Sequence, residues 1–355
     1  MQIEQIDLFI SGEQEAYHTF RIPAMTVTNA GTLLAFAEGR KHGRGDAGEI
    51  DIVLKRSFDN GVTWQPMQLV VTEPDMTCGN PCPVVDSETG TIWLPFCKNL
   101  ADGHETLITQ GKAPRTVWVT HSTDDGVTWA EPTEITSDVK DPSWTWYATG
   151  PTHGIQLTLG PKAGRLIIPC DHMVGKYFDR QRDPYHSHVI YSDDHGAHWH
   201  IGGIVDEGTN ECAIVELMDR VLYINCRNYV GEKRRAVAWS FDQGDTFKHF
   251  RWEDKLIEPI CQGSLVRLTT AQHQDANRIA FANPASTERA KMTVRLSEDE
   301  GWNWSDGKLL HEGPAAYSDL AVTGDGMIHC LYECGEEHPY EVMRLARFDL
   351  DWLKN

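Results

Sequence analysis

SFDNGVTW at Ser57–Trp64 returns along the chain as STDDGVTW at Ser122–Trp129, SDDHGAHW at Ser192–Trp199, SFDQGDTF at Ser240–Phe247 and SEDEGWNW at Ser297–Trp304. The shared phrase is Ser-x-Asp-x-Gly-x-x-aromatic, and each position has a task in a tight turn. The Ser and Asp oxygens accept backbone N–H groups, the Gly supplies a positive φ, and the ring anchors the turn to a core. Copies lie about 48 to 70 residues apart, a period that fits one propeller blade of four short strands.

The surrounding segments agree with that architecture. TLLAFAEG, IDIVLKRS, TIWLPFC, RLIIPCD, VLYINCR, RIAFAN and MIHCLYE are short, rich in β-branched and aromatic residues, and bounded by Gly, Pro, Asn and Asp. No long amphipathic helix is written into the chain. The segment before each box reads as the third strand of a blade and the segment after it as the fourth. Five boxes do not count the blades, because strands continue past Trp304, and dividing the length by the mean spacing gives about six units. The expectation is an all-β, six-bladed β-propeller occupying residues 1–355 as one domain. Its last blade would be closed by the N-terminal strand around IDLFIS pairing with C-terminal strands, which removes free sheet edges. Residues 99 to 115 and 172 to 187 are expected to be loops on one face.

The 355 residues carry 52 Asp and Glu against 32 Lys and Arg, a formal charge of −20. Such acidity argues against a nucleic-acid partner, since phosphate contacts need a basic face. It leaves room for a small anion held by a local cluster of arginines. The nine cysteines show no paired CxxC pattern and mostly sit in apolar runs, so they read as buried thiols. Pairing of Cys78 with Cys82, or of Cys330 with Cys334, is allowed by spacing and not favoured. His153, His172, His186 and His188 cluster in the middle third without metal-ligand spacing; no metal and no cofactor are expected. No leader and no membrane span are apparent, which places the chain as written in the cytoplasm, or in the periplasm or outside if a signal was removed.

Arg21 in HTFRIPA, Arg227 in YINCRNY and Arg289 in NPASTERAKM each follow a strand-like run into a loop. Singly, each is an ordinary solvated arginine; together on different blades they could converge on the axis and hold a carboxylate through bidentate bonds. Spacing alone does not decide between these.

HTFRIPA, the five boxes and AFAEGRKHGRGDAGEIDIVLKRSFDNGVTW resemble the sialidase (neuraminidase) family of exo-glycosidases, in its bacterial and mammalian branch. GTNECAIVEL, LYINCRNY, AAYSDLAV and CLYE match in the family's order, so the resemblance runs from about Arg21 to Glu333. The resemblance implies that Arg21, Arg227 and Arg289 clamp the sialic acid carboxylate and that Glu333 orients Arg21. It implies that Tyr317 is the nucleophile, Glu211 its base and Asp46 the general acid, with Glu49 and Asp51 as competitors in the same run. Arg40 corresponds to a further basic residue near the acid-bearing loop. Asn80 to Val85 would lie beside an N-acetyl pocket and Trp146 to Leu157 beside the glycerol side chain, with Glu105 meeting amide or hydroxyl groups. The implied partners are sialylated glycans on glycoproteins, gangliosides or oligosaccharides, with neither nucleic acid nor membrane. A trans-sialidase, an enzyme preferring the deaminated sugar Kdn, and a non-catalytic glycan-binding propeller are the alternatives.

Overall fold

The computed structural model describes residues 3–13, 16–175 and 185–355. Among the described residues hydrogen bonding joins the strands into sheets of seven, nine, five and four members, and these divide in chain order into six blades of antiparallel strands. Blade 1 comprises Thr19–Val27, Leu33–Arg40, Ile50–Ser57 and Gln68–Val71. Blade 2 has an interrupted inner strand, Met76–Gly79 and Val84–Val85, followed by Ile92–Leu100, Thr116–Ser122 and Thr133–Glu134. Blade 3 likewise begins with Trp144–Thr149 and Ile155–Gln156 and continues through Leu166–Val174, Tyr185–Ser192 and His200–Ile204. Blade 4 is Thr209–Glu216, Leu222–Asn228, Arg234–Ser240 and Lys248–Ile257. Blade 5 is Ser264–Thr269, Arg278–Pro284, Ala290–Ser297 and the first part of the long strand Lys308–Val322. The rest of that strand opens blade 6, which adds Ile328–Cys334, Val342–Phe348 and the N-terminal strand Glu4–Ile10. Ring closure is as expected from the sequence: Glu4 lies opposite Arg347 and Ile10 opposite Val342.

This closure explains why six blades carry five boxes. Each box joins the third strand of a blade to its fourth, and in blade 6 those strands come from opposite ends of the chain. Within the first box, Ser57 Oγ accepts the Gly61 N–H at 2.8 Å while Asp59 accepts Thr63 N–H at 2.8 Å and Thr63 O–H at 2.6 Å. The turn needs two consecutive positive φ values, at Asn60 (55°) and Gly61 (81°), and the same pair recurs at Glu300 and Gly301. The terminal ring of each box then enters the seam with the preceding blade. Trp129 packs against Leu34 and Phe36 of blade 1, Trp199 belongs to a cluster with Val84 and Cys97 of blade 2, and Trp304 to one with Val215 and Tyr223 of blade 4. The boxes are therefore blade-to-blade fasteners as much as turns.

Second strands such as LLAFA and LYINC are buried on both faces, which accounts for their unbroken apolar reading. All nine cysteines are buried free thiols. The segment 99–115 departs from the expected plain loop by forming a short helix, Glu105–Thr109, closed by Ile108 N–H to His104 O at 3.2 Å and Gln110 N–H to Thr106 O at 3.1 Å. The expected loop at 172–187 is narrower, because strands run to Val174 and resume at Tyr185; residues 176–184 lie outside the described residues. Among the described residues no helix is long and apolar enough to cross a membrane.

Trp199 is 2% exposed and wedged against Trp93 with ring centroids 6.4 Å apart. Trp199→Ala is expected to lower unfolding free energy by about 3–5 kcal/mol, measured by urea denaturation, whereas truncating exposed Phe58 in the first box should change it by less than about 0.5 kcal/mol.

Candidate active site

Because strands alternate in direction, the starts of first strands, the ends of second strands and the loops between second and third strands all meet at one rim. The boxes, which follow third strands, lie on the opposite rim. Arg21 and Glu211 sit near the starts of inner strands, Arg40, Arg227 and Glu333 near the ends of second strands, and Asp46 and Arg289 in the following loops. Topology alone thus brings residues from blades 1, 4, 5 and 6 to one axial mouth. Of these, Arg21, Arg40, Asp46, Glu211, Arg227 and Arg289, with Tyr317, line a cavity of about 150 Å³.

Local backbone irregularity aims these side chains. The ladder slips between Arg21 and Ala24, between Thr209 and Cys212 and between Ala315 and Ser318, so on three different inner strands a bulge follows directly on Arg21, which still pairs with Glu38, and encloses Glu211 and Tyr317. A fourth, between Trp144 and Tyr147, brackets Trp146. A bulge inserts an unpaired residue, bends the strand and re-aims a side chain. At the first bulge Ile22 has φ of 59°, a costly conformation for a β-branched residue, and its N–H is held by Glu333 Oε1 at 2.9 Å.

Glu333, fully buried, also accepts from Arg21 Nε at 3.1 Å, from Arg21 Nη2 at 3.2 Å and from the Tyr317 N–H at 3.1 Å. It fixes Arg21 from behind, outside the cavity lining. Arg227 Nη1 donates to Glu211 Oε2 at 2.5 Å and to Tyr317 Oη at 2.8 Å, and Tyr317 O–H donates to Glu211 Oε1 at 2.5 Å. The phenol, carboxylate and guanidinium form a closed triangle. Burial, then the adjacent Glu211, pushes the Tyr317 phenol well above its usual range, with Arg227 and Arg289 opposing. The hydroxyl is therefore neutral at rest, and its proton is already directed at a carboxylate acceptor.

Asp46 Oδ1 accepts from Arg40 Nη1 at 2.7 Å and from Arg21 Nη1 at 2.9 Å. Desolvation in the cleft works against its ionisation, but Arg40 and then Arg21 outweigh this and hold the carboxyl at about 2. Arg40 is itself locked by Glu38 Oε2 at 2.6 and 3.0 Å. The competitors point elsewhere: Asp51 accepts from Tyr17 O–H at 2.9 Å, and Glu49 lies near Lys41 at 3.4 Å. Of the segments tied to the sugar's substituents, Asn80, Glu105, Trp146 and Ala148 line the cavity, while the rest of 81–85 and 149–157 does not. His153 bonds Asp319 at 2.9 Å and His172 bonds His188 at 3.0 Å; among the described residues no group of three potential ligands is arranged for a metal.

Several lining residues carried no motif. Asp171 is fully buried with Oδ1 unpartnered, its Oδ2 accepting from Asn210 Nδ2 at 3.0 Å and Trp146 Nε1 at 3.1 Å. Tyr340 bridges two arginines: its hydroxyl accepts from Arg289 Nη1 at 2.7 Å and its ring lies 4.2 Å beneath the Arg21 guanidinium. The GEEHPY loop carries no recognisable pattern; an aromatic beside a Pro, in a loop after CLYE, is the only sequence sign of it.

Fold and site together define a β-propeller glycosidase class in which an arginine clamp faces a phenol–carboxylate couple. Residues 31–330 match the BNR repeat-like domain. The chain is 35% identical to a sialidase of Micromonospora viridifaciens across 98% of its own length, spanning 54% of that protein. It is 34% identical to an exo-alpha-sialidase of Aspergillus fumigatus, with 96% of this chain and 86% of that one covered. Sialidase-3 of Bos taurus is 32% identical, with 93% and 89% covered. The solved structure of the Hadza microbial sialidase Hz136 superposes with a TM-score of 0.86 at 28% identity, over 98% of this chain and 69% of that one. The chain belongs to the sialidase family of glycoside hydrolases.

Arg21 has a carboxylate behind it and Arg227 has one beside it, whereas Arg289 is steadied by the Tyr340 hydroxyl and by a long bond to Ile260 O at 3.4 Å. Tyr340→Phe, which removes that hydroxyl and keeps the ring under Arg21, is expected to raise KM for an anionic sialoside by about tenfold with kcat changed by less than about threefold, as for a lost charge-assisted bond. Steady-state kinetics on an aryl α-sialoside checks this.

Proposed function

We propose that this protein removes terminal α-linked sialic acid from glycoconjugates with retention of configuration, through a covalent sialyl-tyrosine intermediate. The observation that carries the reading is the Tyr317–Glu211–Arg227 triangle, with its 2.5 Å phenol–carboxylate bond, set beside three arginines from three blades. Arg21, Arg227 and Arg289 take the sugar's carboxylate. Tyr317 Oη attacks the anomeric carbon as the glycosidic C–O bond breaks; its proton passes to Glu211, and Asp46 delivers a proton to the departing oxygen. In the second half, Asp46 draws a proton from water, whose oxygen bonds the anomeric carbon; the tyrosyl bond breaks, and Glu211 returns the proton to Tyr317. A carboxylate nucleophile is disfavoured here because the anomeric carbon already bears one, and a neutral phenol avoids that repulsion. Asn80, Glu105 and Trp146, which also line the cavity, suit the hydroxyl and amide groups of the sugar.

The test is hydrolysis of 4-methylumbelliferyl α-N-acetylneuraminide. Tyr317→Phe is expected to lose at least about a hundredfold in kcat, and proton NMR of the wild-type reaction should show the α-anomer of free sialic acid first. Full activity in Tyr317→Phe overturns the nucleophile assignment. The β-anomer as first product overturns retention, and an anhydro sugar in place of sialic acid replaces hydrolysis by internal transfer.

A further inference from the structure

The arginine that should receive the ligand's carboxylate is already engaged. Arg21 Nη1 donates to Asp46 Oδ1 at 2.9 Å, and the same oxygen takes Arg40 Nη1 at 2.7 Å. Asp46 thus presents to Arg21 what a bound sialic acid would present: one carboxylate oxygen at the mouth of the clamp.

Charge balance gives this contact a consequence. The bonds around this contact already set three carboxylates, Glu38, Asp46 and Glu333, against two guanidiniums, Arg21 and Arg40. An arriving carboxylate adds a fourth negative group to that cluster inside a cleft, where an uncompensated charge is expensive. One existing carboxylate must then give way, and only one is free to do so. Glu333 is fully buried and holds two backbone N–H groups besides Arg21, and Glu38 holds Asn80 N–H at 2.8 Å besides Arg40. Glu211 is tied to Arg227 and Tyr317. The Asp46 side chain is 76% exposed and sits in GRGDAG, residues 43–48, flanked by three glycines.

We infer that Asp46 is a placeholder as well as an acid: it occupies Arg21 in the free protein, and a ligand's carboxylate displaces it and causes it to take up a proton from solvent. The inference rests on the sialidase reading above and adds a selection step to it. In the free protein Arg21 and Arg40 keep Asp46 ionised, a poor state for a general acid. Losing Arg21 and gaining an anionic neighbour both shift it toward the protonated form. Arg40 and Arg289 remain as the cations facing it, with Glu38 behind Arg40 and Glu333 behind Arg21. The leaving group's proton is therefore loaded only when the sugar in the cleft is acidic, and a neutral glycoside finds both the clamp occupied and the acid ionised.

Calorimetric titration with 2-deoxy-2,3-didehydro-N-acetylneuraminic acid, in two buffers of contrasting ionisation enthalpy at about pH 5.5, reads the proton directly. Wild type is expected to take up about 0.5 to 1 proton per ligand, falling as pH rises above the bound-state pKa of Asp46. Asp46→Asn and Asp46→Ala should bind the ligand with uptake below about 0.1 proton. Wild type that hydrolyses the aryl sialoside and binds this ligand without proton uptake overturns the placeholder alone, as does equal uptake in both variants. Wild type that neither hydrolyses the one nor binds the other overturns the sialidase reading beneath it.

Discussion

A single buried carboxylate, that of Glu333, joins the architecture to the site. Its two oxygens accept from the Arg21 guanidinium twice, from the Ile22 N–H and from the Tyr317 N–H. Blades 1 and 6 meet here, where the ring closes, so one side chain ties the closing seam to both the clamp and the phenol. It is fully buried, and these four donors take the place of a solvent shell. The left-handed Ile22 backbone is tolerable because this carboxylate holds its N–H in place.

From that anchor the electrostatics of the cleft follow. Arg21 is positioned before any ligand arrives, so little side-chain entropy remains to be lost on binding. Arg227 serves two partners at once and keeps Glu211 within bonding distance of a neutral Tyr317. The chain as a whole is strongly acidic, yet its axial mouth is lined by arginines, so attraction for an anion is confined to the last few ångströms.

The boxes were legible in the sequence because a turn with two positive φ residues and three side-chain-to-backbone bonds tolerates few residue types. Blade count followed from their spacing, and ring closure from the unpaired strands at both ends. Convergence of Arg21, Arg227 and Arg289 was not legible from spacing and came from resemblance, since nothing local in CRNY or TERA states where its blade points. Tyr340 and Asp171 were missed for a related reason. Tyr340 acts through contacts to residues 51 and 319 positions away, and Asp171 sits in IIPCDHMV, where an acidic residue gives no sign of which face it takes. The helix at Glu105–Thr109 was overlooked because five residues are too few to show a helical period.

The bulges that start at Arg21 and enclose Trp146, Glu211 and Tyr317 give each of four blades a reading frame of its own. Strand side chains alternate with period two, so one extra residue is a phase slip: below it the strand keeps step with the core, above it with the cleft. The hydrophobic framework and the axial mouth are thereby written on the same strands out of register with each other. Substitutions that suit one need not disturb the other. Removing a single residue at a bulge would bring the two back into step, leaving a sound propeller whose working side chains face the wrong way.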